Sequence, residues 1–199
     1  MVFAINTKKY ILAVAVCSAS LYASTAMAGG TLLLTGSVSS NTCDVAAYSY
    51  SGAPIQTLDL GVVEPRSDAA NESKPIGFTL RPVCSAGPAE ALAISNQLAT
   101  ITWTGKLGDQ GILSNGSSEG VVVVLKPSAQ GKPGLNPIAP DSLVKENEAV
   151  VAGNNVVTYR GKNNEVMNGE FAYNVSMMAP ANAQAGTVEA QVTYSVTYL

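Results

Sequence analysis

The residues from Gly186 to Leu199 alternate without interruption. Val188, Ala190, Val192, Tyr194, Val196 and Tyr198 fall on one side, and Thr187, Glu189, Gln191, Thr193, Ser195 and Thr197 on the other. A period of two over so many positions predicts a long strand with one buried face. The same period recurs upstream. Ile55 to Val63 sets Leu58, Leu60 and Val62 against Ile55, Thr57, Asp59 and Gly61. Pro75 to Cys84 turns Ile76, Phe78 and Leu80 inward and Gly77, Thr79 and Arg81 outward, and Gly169 to Met178 sets Phe171, Tyr173, Val175 and Met177 against Glu170, Ala172, Asn174 and Ser176. Val121 to Leu125 is a continuous apolar run, the pattern of a strand covered on both faces. Further strands are predicted at Leu32 to Val38, Leu92 to Ile94, Ala99 to Trp103 and Val150 to Tyr159, and Thr42 to Val45 either continues the first of these or starts the next element. Asp68 to Lys74 is a polar loop, and Gly105 to Gly120 is loop-rich with Asn115-Gly116 as a turn signal. Pro127 to Pro140 holds four prolines and is excluded as a central strand.

About eight short strands marked off by turn chemistry, with little sign of a 3.6 period, predict an all-β immunoglobulin-like sandwich. If the final strand lies at the boundary of that sandwich, no later segment covers its flank. Either it pairs with earlier strands of its own sheet, or another molecule supplies the missing one.

The start of the chain reads as an export leader. Lys8 and Lys9 precede an apolar run from Tyr10 to about Tyr22, and Ala26-Met27-Ala28 presents small residues where a signal peptidase reads them. Residues 1–28 are therefore expected to be a cleaved signal peptide, with a cut after Ala23 as the alternative. The run is too short to span a bilayer, which takes roughly 20 apolar residues. Cys17 lies within it, but the branched Val16 before it disfavours lipidation.

Composition narrows the function classes. Removing the leader leaves 171 residues, enough for one packed domain. The leader takes two of the eleven basic residues and none of the fourteen acidic ones, leaving nine against fourteen, a formal charge of −5. With no Lys/Arg cluster, that balance speaks against a nucleic-acid partner. The chain contains no His, and Cys43 and Cys84 are the only cysteines after the leader. An even pair in an exported chain is expected to form a disulfide, and closing a loop of about 40 residues stabilises the fold by roughly 4 kcal/mol on the chain-entropy model. No metal site and no cofactor is expected from this residue set.

Several features then occur in order: Leu34-Thr35-Gly36-Ser37-Val38 ahead of Cys43, Leu58-Asp59-Leu60-Gly61, Gly77-Phe78-Thr79-Leu80 running into Cys84, Gly120-Val121-Val122-Val123, and Ala185-Gly186 before a final strand with Tyr198 next to last. In this order the chain resembles the type 1 pilin family of chaperone-usher fimbriae in Gram-negative bacteria, over essentially all of its mature length. Arg81-Pro82-Val83 is an unusual approach to the second cysteine, and seven residues before Gly36 make a short tail.

The resemblance implies an incomplete immunoglobulin-like sandwich completed by a donor strand from another subunit, a form of β-strand addition. Residues 29–35 would be the N-terminal donor extension and 36–199 the pilin domain. Gly30, Leu32, Leu34 and Gly36 are spaced by two and would point together into a neighbour's groove. Because Leu32, Leu33 and Leu34 are all apolar, the sequence leaves the inserted face open, and an ordinary first strand of the same domain stays as the alternative. The acceptor groove, and the contact for a periplasmic chaperone, would be lined by Val188, Ala190, Val192, Tyr194, Val196 and Tyr198, with the Leu199 carboxylate anchored by basic chaperone residues. The implied partners are that chaperone, an outer-membrane usher and other pilin subunits, with host glycans met through the assembled fimbria. The implied location is the cell surface, reached through the periplasm.

Two other classes compete with this one. A two-carboxylate glycosidase would draw on Asp59, Glu64, Asp68, Glu72 and Glu90, but these share no pattern and no nucleophile signature accompanies them. The chain is therefore not expected to be an enzyme. A minor tip adaptor or carbohydrate-binding adhesin would use Trp103, Tyr48 and Tyr50 to stack on sugars, although a lone Trp between Thr102 and Thr104 is more often a core residue. The sequence does not separate major shaft subunit, adaptor and terminator.

Overall fold

A computed structural model of the chain describes residues 27–38, 44–83, 98–128, 148–160 and 170–198. The expected leader, both cysteines of the expected disulfide, Glu90, the strand expected at Leu92 to Ile94, most of the proline-rich loop and Leu199 lie outside the described residues. The rest is all-β: β1 (Ala28–Val38), β2 (Asp44–Ser49), β3 (Thr57–Val63), β4 (Asn71–Glu72), β5 (Ile76–Val83), β6 (Leu98–Gly105), β7 (Ile112–Leu113), β8 (Val122–Pro127), β9 (Val156–Arg160), β10 (Phe171–Ala179) and β11 (Thr187–Tyr198).

These strands form two sheets. One runs β3-β1-β11-β6-β9 and the other β2-β5-β10-β8-β7, with β4 also paired to β10. The ladders are antiparallel except one, since β1 runs parallel to β11 and antiparallel to β3. The alternating faces meet in a single core that includes Leu32, Leu58, Phe78, Ile101, Leu125, Tyr173 and Val192. One part of it is aromatic: Tyr173 stacks on Phe78 at 5.6 Å between centroids, and Trp103 stands edge-on to Tyr173 at 5.0 Å and tilted to Tyr194 at 5.5 Å.

Several expectations change against this frame. Val62 does not share the inward face of Leu58 and Leu60: it is 56 % exposed, and Val63 is buried instead. The cause is a bulge. Gly30 pairs with Gly61 and Thr31 with Asp59, so Leu60 has no partner across the ladder and the alternation shifts by one. Gly61 takes φ +69°, and its N–H donates to Asp59 Oδ1 at 2.9 Å. The polar loop around Asp68 contains β4, and the loop-rich stretch after Gly105 contains β7, whose Ile112 is fully buried. The strand expected from Val150 begins only at Val156, because a turn at Val151–Asn154, with Gly153 at φ +77°, occupies its first part.

Thr79, Ala172 and Ser176, read as outward, are buried on the far face of the second sheet. Polar side chains account for part of this cover. Arg81 donates from Nε to Thr79 Oγ1 at 3.1 Å and lies 2.7 Å from Glu170 Oε1, while Ser176 donates to Glu72, with Lys126 Nζ 3.7 Å from the same carboxylate. The run Val121 to Leu125 is buried on both faces, as its composition predicts.

Candidate functional site

The donor residues read from the sequence all fall on β1. It lies between β3 and β11, bonded along both of its edges. Its register with β11 is Gly30↔Val188, Leu32↔Ala190, Leu34↔Val192 and Gly36↔Tyr194, and with β3 Leu32↔Leu58. Leu32 is wholly buried and Leu34 is 4 % exposed, whereas Leu33 is 36 % exposed on the outer face. The choice of face that three consecutive leucines left open is thus made by Leu32 and Leu34. Fully burying two leucine side chains stabilises the closed arrangement by about 3–6 kcal/mol.

The two glycines of this face are required by their neighbours. A Cβ built on Gly36 would overlap the Tyr194 ring, and one on Gly30 would overlap Met177 Sδ. The obstacles differ in kind. Met177 ends in a flexible thioether, whereas the Tyr194 ring is rigid and its hydroxyl donates to the Val45 carbonyl at 3.0 Å. Burial raises the pKa of that hydroxyl. The Val45 carbonyl, like those of Ala47 and Ser49 further along β2, points away from β5, and Tyr194 supplies its donor.

The inward side chains of β11 lie along the same slot. Val188, Ala190, Val192, Tyr194 and Val196 are each 5 % exposed or less, and Tyr198 ends the strand opposite Ala99. The far edge of β11 is closed along its length. β6 pairs with it from Val192 to Tyr198, and the segment around Ser114 to Ser118 caps its beginning, with Asn115 N donating to Glu189 O at 2.7 Å and Ser118 N to Thr187 O at 3.0 Å. On the outer face Thr35 and Thr193 hydroxyls meet at 2.9 Å. Removing β1 would therefore leave one opening, in the middle of the sheet, lined on one side by β3 and on the other by β11.

Among the described residues the alternative sites do not assemble. Trp103 is fully buried and offers no face to a sugar, Tyr50 lies across Gly77, and Tyr48 is covered by the Arg81 guanidinium at 4.9 Å. Asp59 is engaged in its own bulge and Glu72 with Ser176 and Lys126. Glu64 and Asp68 are exposed. Among the described residues no group of three or more His, Cys, Asp or Glu side chains is placed to hold a metal ion. Sequence reasoning named Gly36 and Tyr194 separately but missed that they face each other. The signal was present in the alternation, which sets Gly36, an inward position without a side chain, on the first strand and Tyr194, an inward ring, on the last.

A family model described as fimbrial protein matches residues 32–199, from the middle of β1 onward. No curated protein sequence matches the chain.

Proposed function

The chain belongs to the fimbrial protein family, whose members are structural subunits of cell-surface fimbriae, and on that premise we propose that it polymerises by donor-strand exchange. In this reading β1 of one subunit leaves its own slot and fills the slot between β3 and β11 of the next. The observation that carries it is the position of β1: the strand that follows the expected leader lies in the middle of a sheet, so its departure opens a groove rather than trimming an edge. Exchanging an identical element between copies reproduces the same buried contacts at little net cost, which is the logic of domain swapping.

An empty slot cannot stay wet, because it exposes two rows of backbone donors and acceptors beside apolar side chains. A periplasmic chaperone holding that slot with a strand of its own, and an outer-membrane usher delivering the subunit, complete the reading. Release of Gly29 by cleavage after Ala28 frees the donor end. A Cys43–Cys84 disulfide belongs to the same account and is supported by the β2–β5 register, whose last described pair, Asp44↔Val83, consists of the two chain neighbours of those cysteines. Contact with host glycans falls to the assembled fimbria.

The competing reading is that β1 is an ordinary first strand that never leaves. Replacing Leu32 and Leu34 with Asp separates the two, because an unpaired carboxylate buried in a groove costs several kcal/mol. The double variant is expected to retain binding to its chaperone through Val188 to Tyr198, yet to enter no neighbour. Ala190→Trp is expected to block acceptance while its β1 stays competent, so the two variants mixed should stop at a single heterodimeric joint. Unboiled samples on SDS gels read the outcome, and normal ladders from the Leu32/Leu34 variant would establish the ordinary-strand reading instead.

A further inference from the structure

Two methionines stand side by side on β10 and face opposite ways. Met177 points into the core and is wholly buried, while Met178 lies on the outer face and is partly exposed. Ser73 holds the backbone of Met177 at both of its polar groups: the Ser73 N–H donates to the Met177 carbonyl at 2.8 Å, and the Met177 N–H donates to Ser73 Oγ at 2.9 Å. From this fixed root the thioether crosses to the other sheet and ends beneath Gly30 of β1. The bare Gly30 makes room for it. A Cβ there would overlap Sδ and stand 3.3 Å from both Met177 Cε and Val188 Cβ.

The cover over that sulfur is thin. Gly30 pairs with Gly61 across the β3 ladder, so neither partner adds a side chain, and the register shifts directly after the pair. The site also lies close to where the β1–β11 ladder begins, at Gly29↔Thr187, and the ends of a ladder open at lower free energy than its centre. With β1 in place the sulfur is sealed in the core. With β1 lifted it forms part of the floor of the slot.

We propose that Met177 is an oxidation site gated by β1: a two-electron oxidant of the peroxide or hypochlorous acid class reaches it when the slot is open, and the resulting sulfoxide keeps β1 out. The sulfur lone pair takes one oxygen from hydrogen peroxide as the O–O bond breaks and water leaves, so the thioether is oxidised and the peroxide reduced. The product is bulkier and polar. To close the slot it would have to be buried among apolar neighbours, under a glycine that already lies against the sulfur, with its oxygen denied water. A thiol-dependent methionine sulfoxide reductase restores the thioether. Oxidation at Met177 needs only one chain and holds whether or not copies exchange strands; its effect on a joint rests on the exchange reading above.

Met178 supplies an internal reference for the test. The mature chain is treated with hydrogen peroxide, and tandem mass spectrometry assigns each added oxygen to Met177, Met178 or Met167, the last of which lies outside the described residues. Met177 is expected to react roughly a hundredfold more slowly than Met178, the protection given by an open state populated at about 1 %. Leu34→Ala removes a buried side chain that holds β1 down, and should speed oxidation of Met177 roughly tenfold or more with Met178 unchanged and the near-ultraviolet circular dichroism of the core retained. Equal rates for the two methionines in the closed chain, or a Met177 rate unmoved by Leu34→Ala, would overturn the proposal. Chymotrypsin should cut at Leu32 to Leu34 in the oxidised chain but not in the untreated one, and reductase treatment should restore resistance. Met177→Leu, a swap that cores tolerate, should stay resistant through the same oxidant. Equal loss of resistance in Met177→Leu would place the effect elsewhere and overturn the proposal. In assembly, oxidised acceptors should form no joint where Met177→Leu acceptors do. If untreated acceptors also form none, strand exchange fails, while the oxidation rates and the chymotrypsin cuts still decide the role of Met177.

Discussion

Tyr194 shows how much of this site is decided by one side chain. Its ring fixes Gly36 as the residue that must face it, and its hydroxyl satisfies the Val45 carbonyl, which points away from the β2–β5 ladder. Tyr194→Phe keeps the ring and removes only the donor, leaving a buried carbonyl unsatisfied, and is expected to destabilise the protein by about 1–3 kcal/mol. Chemical denaturation of the two proteins measures it, and an unchanged midpoint would mean that water reaches Val45 in place of the hydroxyl.

At the scale of the element, the alternation of β11 was legible because each of its inward side chains is apolar and each outward one polar over the whole length. β1 was less so: three leucines in a row satisfy either face, and only packing against Ala190, Val192 and Leu58 selects Leu32 and Leu34. β3 misled for a different reason. Its period of two is intact as far as Leu60, and the bulge then adds a residue that hydrophobicity cannot reveal, since Val62 and Val63 are the same amino acid. Gly61 at φ +69° was the available sign. A Cβ there meets no neighbour within 4 Å, so the cost of Gly61→Ala is purely conformational, about 1–2 kcal/mol. Gly61→Asn, which tolerates the left-handed region, should recover part of that loss in thermal melts.

For the whole molecule, the two sheets enclose a core in which tyrosine hydroxyls are carried deep inside. Burial pushes Tyr159 and Tyr173 well above their ordinary value of 10.0, and Tyr194 is raised in the same direction. Below pH 10 both folded and unfolded chains keep these protons, and stability is unaffected by them. Above it the unfolded chain releases protons that the folded chain retains, so stability falls, by up to about 1.4 kcal/mol per pH unit for each such hydroxyl. Denaturation midpoints should be flat with respect to these groups up to about pH 9 and drop through pH 10–11, with the tyrosinate absorbance of Tyr159 and Tyr173 rising only as the protein unfolds. Smooth titration of every tyrosine near pH 10 in the folded protein would contradict the packing described. The two-sheet class was legible in the sequence as a whole; the place of β1 within it was not, because burial patterns state which face is covered and not which strand lies alongside.

That place has a mechanical consequence. A strand bonded on both edges and pulled along its own axis is loaded in shear: the ladder to β11 and the ladder to β3 share the tension at once, and none of their bonds can be peeled before the others. An edge strand lifted from one end would instead unzip bond by bond under a small force. A joint between subunits built on β1 in its central position would thus respond to traction along the strand as a bolt does, holding until all its contacts fail together.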